Sequence, residues 1–243
     1  MLNIIHEDAE LLVINKPAGL VCHPSKDGPM SSLIGRVRLY LGEDSRPHLV
    51  NRLDRETSGV TFVAKTDAAA LELRRLWEIR VVEKEYLAIV HGIVGVEQVT
   101  IDAPLGKDES SHVAIKDCVR ADGLPSQTIF FRERTFSKHI AGRDEPQAFS
   151  LLRVLPRTGR KHQIRIHLAH IGHPIVGDKM YGGDEDLYLA LVQGRLSEEQ
   201  KQILILPYQA LHARAVRFEW RGQGTEFSCD SEPWFKEFAE LKT

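Results

Sequence analysis

Apolar residues in this chain come in short runs, and each run is stopped within a few positions by proline, glycine or charge. Leu11, Val13 and Ile14 end at Lys16-Pro17-Ala18-Gly19, Val60–Val63 follows Thr57-Ser58-Gly59, and Tyr86–Val90 is closed by His91-Gly92. Such punctuation stops a strand and turns the chain. Further strands are predicted between 98 and 155, with TIFFRERTF and FSLLRVL the clearest. Helical signals are interspersed among them. Leu33, Val37 and Leu41 recur at spacing four, and Asp67 offers an N-cap to a helix with Leu71, Leu73, Leu76 and Ile79 as its apolar positions. Other helices are predicted at 158–171, around 197–205 and at 232–241. Strands preponderate without strict alternation, which predicts an α+β fold with a mixed, largely antiparallel sheet and flanking helices. No repeat and no clean boundary appears, so residues 1–243 read as a single domain.

A hydrophobic content of 42% with 27% charged residues excludes a disordered or fibrous chain. No apolar run approaches the roughly 18 residues of a membrane span, and the N-terminus carries no secretory pattern. Cys22, Cys118 and Cys229 form no CxxC pair. A disulfide framework is therefore not expected, and a soluble protein of the cytoplasm is.

The net charge of −2 hides an asymmetry. Between Arg153 and Lys179 six cations face the single anion Asp178, while acid collects at Asp184, Glu185 and Asp186 and in the C-terminal tail. A local basic patch can hold phosphates on a nearly neutral molecule, although a solvated helix face reads the same way.

Two constellations carry possible chemistry. In Asn51-Arg52-Leu53-Asp54-Arg55-Glu56-Thr57-Ser58-Gly59, an aspartate lies between two arginines in a loop entering a strand. If the segment is extended, Arg52 and Asp54 leave on one face, and a nearby cation keeps a carboxylate ionised for nucleophilic or electrostatic work. The same residues also fit a surface ion pair worth about 0–1 kcal/mol. Ser58 has no GxSxG context. In the second constellation, Thr158 is the expected N-cap of an amphipathic helix buried along Ile164, Leu168 and Ile171. Lys161, His162 and Arg165 then share an adjacent face near the helix N-terminus, where phosphate is favoured. His162, His167, His170 and His173 lack an HExxH pattern or a cysteine ligand, so no metal is expected. GxxxxGK[ST] and GxGxxG are both missing, which disfavours a nucleotide-hydrolysing or dinucleotide-dependent enzyme.

Taken in order, these segments resemble the RNA pseudouridine synthases of the kind typified by ribosomal large subunit synthase A. The resemblance rests on Asn15-Lys16-Pro17-Ala18-Gly19-Leu20 with His23-Pro24, on Arg52 to Gly59, and on Lys84-Glu85-Tyr86-Leu87-Ala88-Ile89-Val90-His91-Gly92. It continues through Gly159 to Leu168, Gly172 to Asp178 with Tyr181-Gly182, and Leu211-His212-Ala213. It implies a catalytic fold with a central RNA-binding cleft and isomerisation of uridine without cofactor or metal. The substrate would be a transfer RNA or a large-subunit (23S-type) ribosomal RNA. It makes Asp54 the catalytic carboxylate, Tyr86 the residue stacked on the target uracil and Arg165 the partner of Asp54. Arg52 would fill the gap left by the flipped base, with Lys16, Arg160, Lys161 and His162 bordering the RNA. A monomer with no membrane association is expected.

Two positions depart from the pattern. Asn51 stands where many relatives carry histidine, and Cys22 stands where an aliphatic residue is common and reads as a small hydrophobe. The chain begins at its first strand, so no small N-terminal RNA-binding (S4) domain is expected. A non-catalytic RNA-binding module is one alternative. A nucleosidase or glycoside hydrolase pairing Asp54 with Glu56 is another.

Overall fold

The computed structural model describes residues 2–24, 28, 31–42 and 44–241. The described residues divide into two compact units, one comprising the residues up to Glu85 together with His212–Glu237, the other Tyr86–Leu211 and Phe238–Leu241. In chain order the elements are β1 (Ile4–Glu7), β2 (Leu11–Lys16), α1 (Leu33–Leu41), β3 (His48–Leu49), β4 (Ser58–Ala64) and α2 (Asp67–Glu78). Next come β5 (Glu83–His91), β6 (Gln98–Asp102), β7 (Leu105–Lys107), β8 (Asp117–Val119), β9 (Gln127–Lys138) and β10 (Gln147–Pro156). The remainder is α3 (Gln163–His170), α4 (Asp186–Val192), α5 (Glu198–Leu204), β11 (Leu211–Trp220), β12 (Gln223–Ser228) and α6 (Pro233–Ala239). The fold is α+β, as expected, and no described helix is long and apolar enough to cross a membrane.

In the first unit the strands lie in the order β1, β2, β4, β11, β12, with β3 beside the far end of β4. Every pairing is antiparallel except that of β4 with β11, where Ser58 faces His212 and Gly59 faces Ala213. Both faces of β2 and β4 are covered. Leu11, Val13, Val60 and Phe62 pack with Ala69, Ala70 and Leu73 of α2, while Leu12, Ile14 and Val63 pack with Leu33, Ile34 and Val37 of α1. That is why these strands read as continuous apolar runs rather than alternating ones.

Helix α2 differs from its sequence reading. Its N-cap is Thr66, whose hydroxyl accepts from the Ala69 N–H at 3.2 Å, and Asp67 is the first helical residue. Small Ala69 and Ala70 allow close approach to the sheet, so Leu71 and Ile79 point to solvent.

In the second unit β5, β10, β9 and β6 form an antiparallel sheet, and β7 pairs with β8 in a separate hairpin. The acidic stretch at 184–186 ties this hairpin down. Glu185 accepts from Ser111 at 2.8 Å and from Lys116, and His112 lies 2.8 Å from Asp186.

Candidate active site

Asp54 lies in the loop that enters β4, and the loop is fastened at the residues on either side of it. Asn51 holds the entry by imitating a backbone: its Nδ2 donates to the Val60 carbonyl at 3.3 Å and its Oδ1 accepts from the Phe62 N–H at 2.8 Å. An amide does this with both ends and needs no charge, which accounts for asparagine here. The Leu53 carbonyl accepts from the Cys22 thiol at 3.3 Å. The Arg55 carbonyl accepts from Lys16 Nζ at 3.1 Å, and Arg55 Nε donates to the Gly19 carbonyl at 3.2 Å. The Thr57 N–H closes a turn onto the Asp54 carbonyl at 3.2 Å. Leu53 is buried, Asp54 half-buried and Arg52 exposed. Burial thus alternates along the segment, with Leu53 inward between the more accessible Arg52 and Asp54.

The Lys16-Pro17-Ala18-Gly19-Leu20 segment is thus a clasp for the Asp54 loop. Lys16 is fully buried, and its ammonium donates to three carbonyls, those of Pro17 (2.9 Å), Leu20 (2.8 Å) and Arg55. An ammonium has three protons and all are engaged. Sequence reading placed Lys16 against RNA; its side chain sits instead beneath the loop, where it can shape the site but has no proton left for a phosphate. Burial lowers its pKa to about 8, opposed by the Cys22 thiol and by Glu232, Asp54 and Glu56.

Behind the loop, Ser58 Oγ lies 2.9 Å from Nδ1 of His212, whose Nε2 lies 3.1 Å from the Cys229 carbonyl. A carbonyl only accepts, so Nε2 carries the proton and Nδ1 accepts from the serine hydroxyl. Both side chains are inaccessible, and burial depresses the His212 pKa to about 4. This pair locks β4 to β11 and does not activate a nucleophile. Gly59 is required at the same junction, since its φ is +115° and a Cβ there would collide with the Ala213 backbone.

In the second unit Tyr86 pairs across the sheet with Val154, which pairs with Phe130, so the three share one face. Helix α3 covers that face: Gln163 Nε2 and His167 Nδ1 lie 2.8 and 2.9 Å from Thr128 Oγ1. The structure corrects the helix itself. It begins at Gln163, its N-cap is His162 in the left-handed region at φ 55°, and residues 163–168 are all buried. Thr158 does not cap it. Its hydroxyl donates instead to Gln163 Oε1 at 2.6 Å and accepts from the Gln127 N–H at 3.0 Å. With residues 163–168 buried all round, the expected row of Lys161, His162 and Arg165 is dispersed. Lys161 is exposed and paired with Asp117 at 3.0 Å, and His162 is half-buried with Nδ1 2.9 Å from the Tyr181 hydroxyl. Arg165 is buried and joined in a fork to Asp178 at 2.6 and 2.9 Å. Arg160 Nε reaches the Pro125 carbonyl at 3.4 Å.

Gln163 is the residue that sequence reading passed over. Its amide makes four hydrogen bonds, to Thr158, the Arg160 N–H, the Gln127 carbonyl and Thr128, and so sets the turn carrying Arg160 and Lys161 against β9. A glutamine between His162 and Ile164 gives no periodicity signal that would reveal this. His167 is neutral and structural, held between Thr128 and the Ala103 carbonyl, with its pKa lowered by burial.

Comparison with known proteins gives the same reading. The family model described as RNA pseudouridylate synthase matches residues 10–170, a span that includes Asp54, Tyr86 and Arg165. Ribosomal large subunit pseudouridine synthase D of Xanthomonas campestris is 37% identical over 220 residues, covering 89% of this chain and 61% of that protein. The uncharacterized RNA pseudouridine synthase YlyB of Bacillus subtilis is 36% identical over 248 residues, covering 99% of this chain and 71% of that protein. The chain thus spans about three fifths to seven tenths of the length of these relatives. Among solved structures, human RNA Pseudouridylate Synthase Domain Containing 1 superposes with a TM-score of 0.72 at 26% identity, covering 98% of this chain and 86% of that one. The chain belongs to the RNA pseudouridylate synthase family.

Proposed function

We propose that the chain isomerises uridine to pseudouridine in RNA, that residues 1–243 work as one catalytic domain, and that Asp54 is its catalytic carboxylate. The observation that carries this reading is the fastening of the Asp54 loop. Asn51, Cys22 and Lys16 grip the chain on either side of the aspartate, through the Phe62 N–H and the carbonyls of Val60, Leu53 and Arg55. A pre-set carboxylate held this way costs little reorganisation in the transition state.

The N1–C1′ bond of uridine breaks, the uracil turns, and C5 bonds to C1′ as its proton leaves and N1 regains one. Atoms and electrons balance within the nucleotide, so the scheme calls for no cofactor or metal. An ionised carboxylate beside C1′ and C6 serves whether it attacks C1′, attacks C6 or removes a sugar proton. Tyr86 stacks on the uracil and assists the C5 proton transfer. Arg165 supplies the positive charge of the reaction centre. A uridine in a stem must be extruded first, and exposed Arg52 fills the gap with its planar guanidinium. Arg160, Lys161 and His162 contact the RNA backbone. Transfer RNA or large-subunit ribosomal RNA is the substrate, and the enzyme acts as a monomer in the cytoplasm.

The test is tritium release from 5-³H-uridine-labelled transfer and ribosomal RNA. Release by the wild-type protein and its loss in Asp54→Asn, with RNA binding retained, is the expected outcome, and the preferred RNA names the substrate class. Normal turnover by Asp54→Asn would remove Asp54 from the chemistry. No release from any RNA, with binding intact, would leave a non-catalytic RNA-binding module.

A further inference from the structure

The loop from Gly177 to Gly182 takes no part in the chemistry above, yet it is among the most tightly built segments of the second unit. Asp178, Lys179 and Met180 are all buried. Gly177, at φ +79°, has no room for a Cβ against the Tyr208 carbonyl, and Gly182 has none against the Asp178 carbonyl. Within this loop the Asp178 carboxylate is aimed before any partner arrives, because its Oδ1 accepts from the N–H groups of both Met180 (2.9 Å) and Tyr181 (3.0 Å).

We propose that Asp178, backed by the ring of Tyr181, is a positioning residue for Arg165. The proposal rests on Arg165 acting in catalysis as argued above. Asp178 takes the Nε–Nη2 edge of the guanidinium, with Oδ2 2.6 Å from Nε and Oδ1 2.9 Å from Nη2. A two-point fork fixes the guanidinium plane, and with it the direction of the opposite Nη1 edge. The Tyr181 ring lies against the guanidinium, 4.9 Å from its central carbon to the ring centroid. Tyr181 is held in turn through its hydroxyl, which lies 2.9 Å from His162 Nδ1 and accepts from the Asp117 N–H at 3.3 Å. Arg165 is therefore constrained along one edge and against one face.

This is more than a salt bridge needs for stability. Buried ion pairs are poor stabilisers compared with apolar residues of the same volume, and they repay their desolvation only with full hydrogen bonding. The arrangement does suit a cation that must already be oriented when charge develops nearby. Burial alone would push the Asp178 carboxyl up, but Arg165 and the loop N–H groups overcome that and hold it below its ordinary value.

The experiment compares steady-state turnover of wild type, Asp178→Asn, Arg165→Lys and the double variant, with Tyr181→Leu as a further probe. Asparagine presents an amide N–H₂ either to Arg165 or to the loop N–H groups, so the fork cannot survive. The expected result is a fall in kcat of about 30-fold or more for Asp178→Asn, with KM for RNA within about twofold. In the Arg165→Lys background the same change should cost less than about threefold, since a lysine offers no plane to orient. Multiplicative losses in the double variant, or an unchanged kcat in a folded Asp178→Asn protein, would overturn the proposal. Should Asp178→Asn fail to fold, Tyr181→Leu must lower kcat about tenfold while KM holds, and an unchanged kcat there sinks the idea equally. Wild-type protein inactive on every RNA would instead refute the functional reading. Apart from turnover, the Arg165 Nε–H signal in a ¹⁵N NMR spectrum should be shifted and slow to exchange in wild type and should lose both features in Asp178→Asn. Identical signals in the two proteins would also refute the assignment.

Discussion

Replacing His212 by glutamine should remove an acid-sensitive step in the stability of the unit that carries Asp54. In the folded protein the imidazole is fully buried between the Ser58 hydroxyl and the Cys229 carbonyl, and burial depresses its pKa from 6.5 to about 4; Asp230 opposes the shift, and Arg214 and Lys236 add to it. The unfolded chain takes up a proton below about 6.5, and the folded chain does so only below about 4. Stability linked to His212 is therefore fully present above 6.5 and is lost as pH falls through that window. At about 1.4 kcal/mol for each tenfold change, the loss approaches ~3 kcal/mol by pH 4. Glutamine keeps a donor for the Cys229 carbonyl but leaves the Ser58 hydroxyl without its acceptor, which costs ~1–2 kcal/mol at pH 7.5. The variant thus starts lower and falls less steeply, and the two stability curves should cross at about pH 5. Trp77, Trp220 and Trp234 all lie in this unit, so urea titrations followed by tryptophan fluorescence from pH 4.5 to 7.5 report on it directly. Parallel curves for the two proteins would refute the reasoning.

Two other substitutions probe supports of the candidate site. Asn51→Ala removes both bonds that fix the entry of the Asp54 loop and leaves the buried Phe62 N–H unsatisfied, so a loss of ~2 kcal/mol in urea unfolding is expected; an unchanged midpoint would contradict the role given to it. Gln163→Leu breaks four hydrogen bonds in a buried setting and should cost ~3 kcal/mol or more. Its folded fraction should also be cleaved faster by trypsin at Arg160 or Lys161, and wild-type cleavage rates would count against it.

Strands and their ends were legible from sequence because burial on both faces leaves an uninterrupted apolar run, and the Lys16-Pro17-Ala18-Gly19 and His91-Gly92 signals mark where it stops. Helices were less so. Thr158 looks like a cap, but its hydroxyl is drawn to Gln163, and the chain needs four more residues, including left-handed His162, before α3 begins. The amphipathic reading of that helix failed because Arg165 and His167 are buried with polar partners, which a hydrophobic period scores as exposed. At the candidate site, the importance of Asp54 came from its motif. What holds its loop could not be read in advance, because the grip of Lys16 and Cys22 is on backbone carbonyls, whose partners depend on the path of the chain.

The parallel junction of β4 with β11 has a consequence for how the molecule is made. Ser58 and Gly59 find their partners His212 and Ala213 only after roughly 125 residues of the other unit have been synthesised. With about 150 residues between β4 and His212, at ribosomal speeds of about 5–20 residues per second the Ser58–Gly59 end of β4 waits on the order of 8–30 s for its partner, while β3 and Asn51 already cover the rest of that edge. The strand is buried along its whole length in the finished fold, and an unpaired stretch of such a strand is the kind of surface that pairs with strangers. The clasp formed by Lys16 and Cys22 lies early in the chain and can close at once, while the lock from His212 comes last. A nascent chain therefore spends those seconds with its Asp54 loop partly assembled and the Ser58–Gly59 end of β4 unpaired, and holdase chaperones should be found on it there.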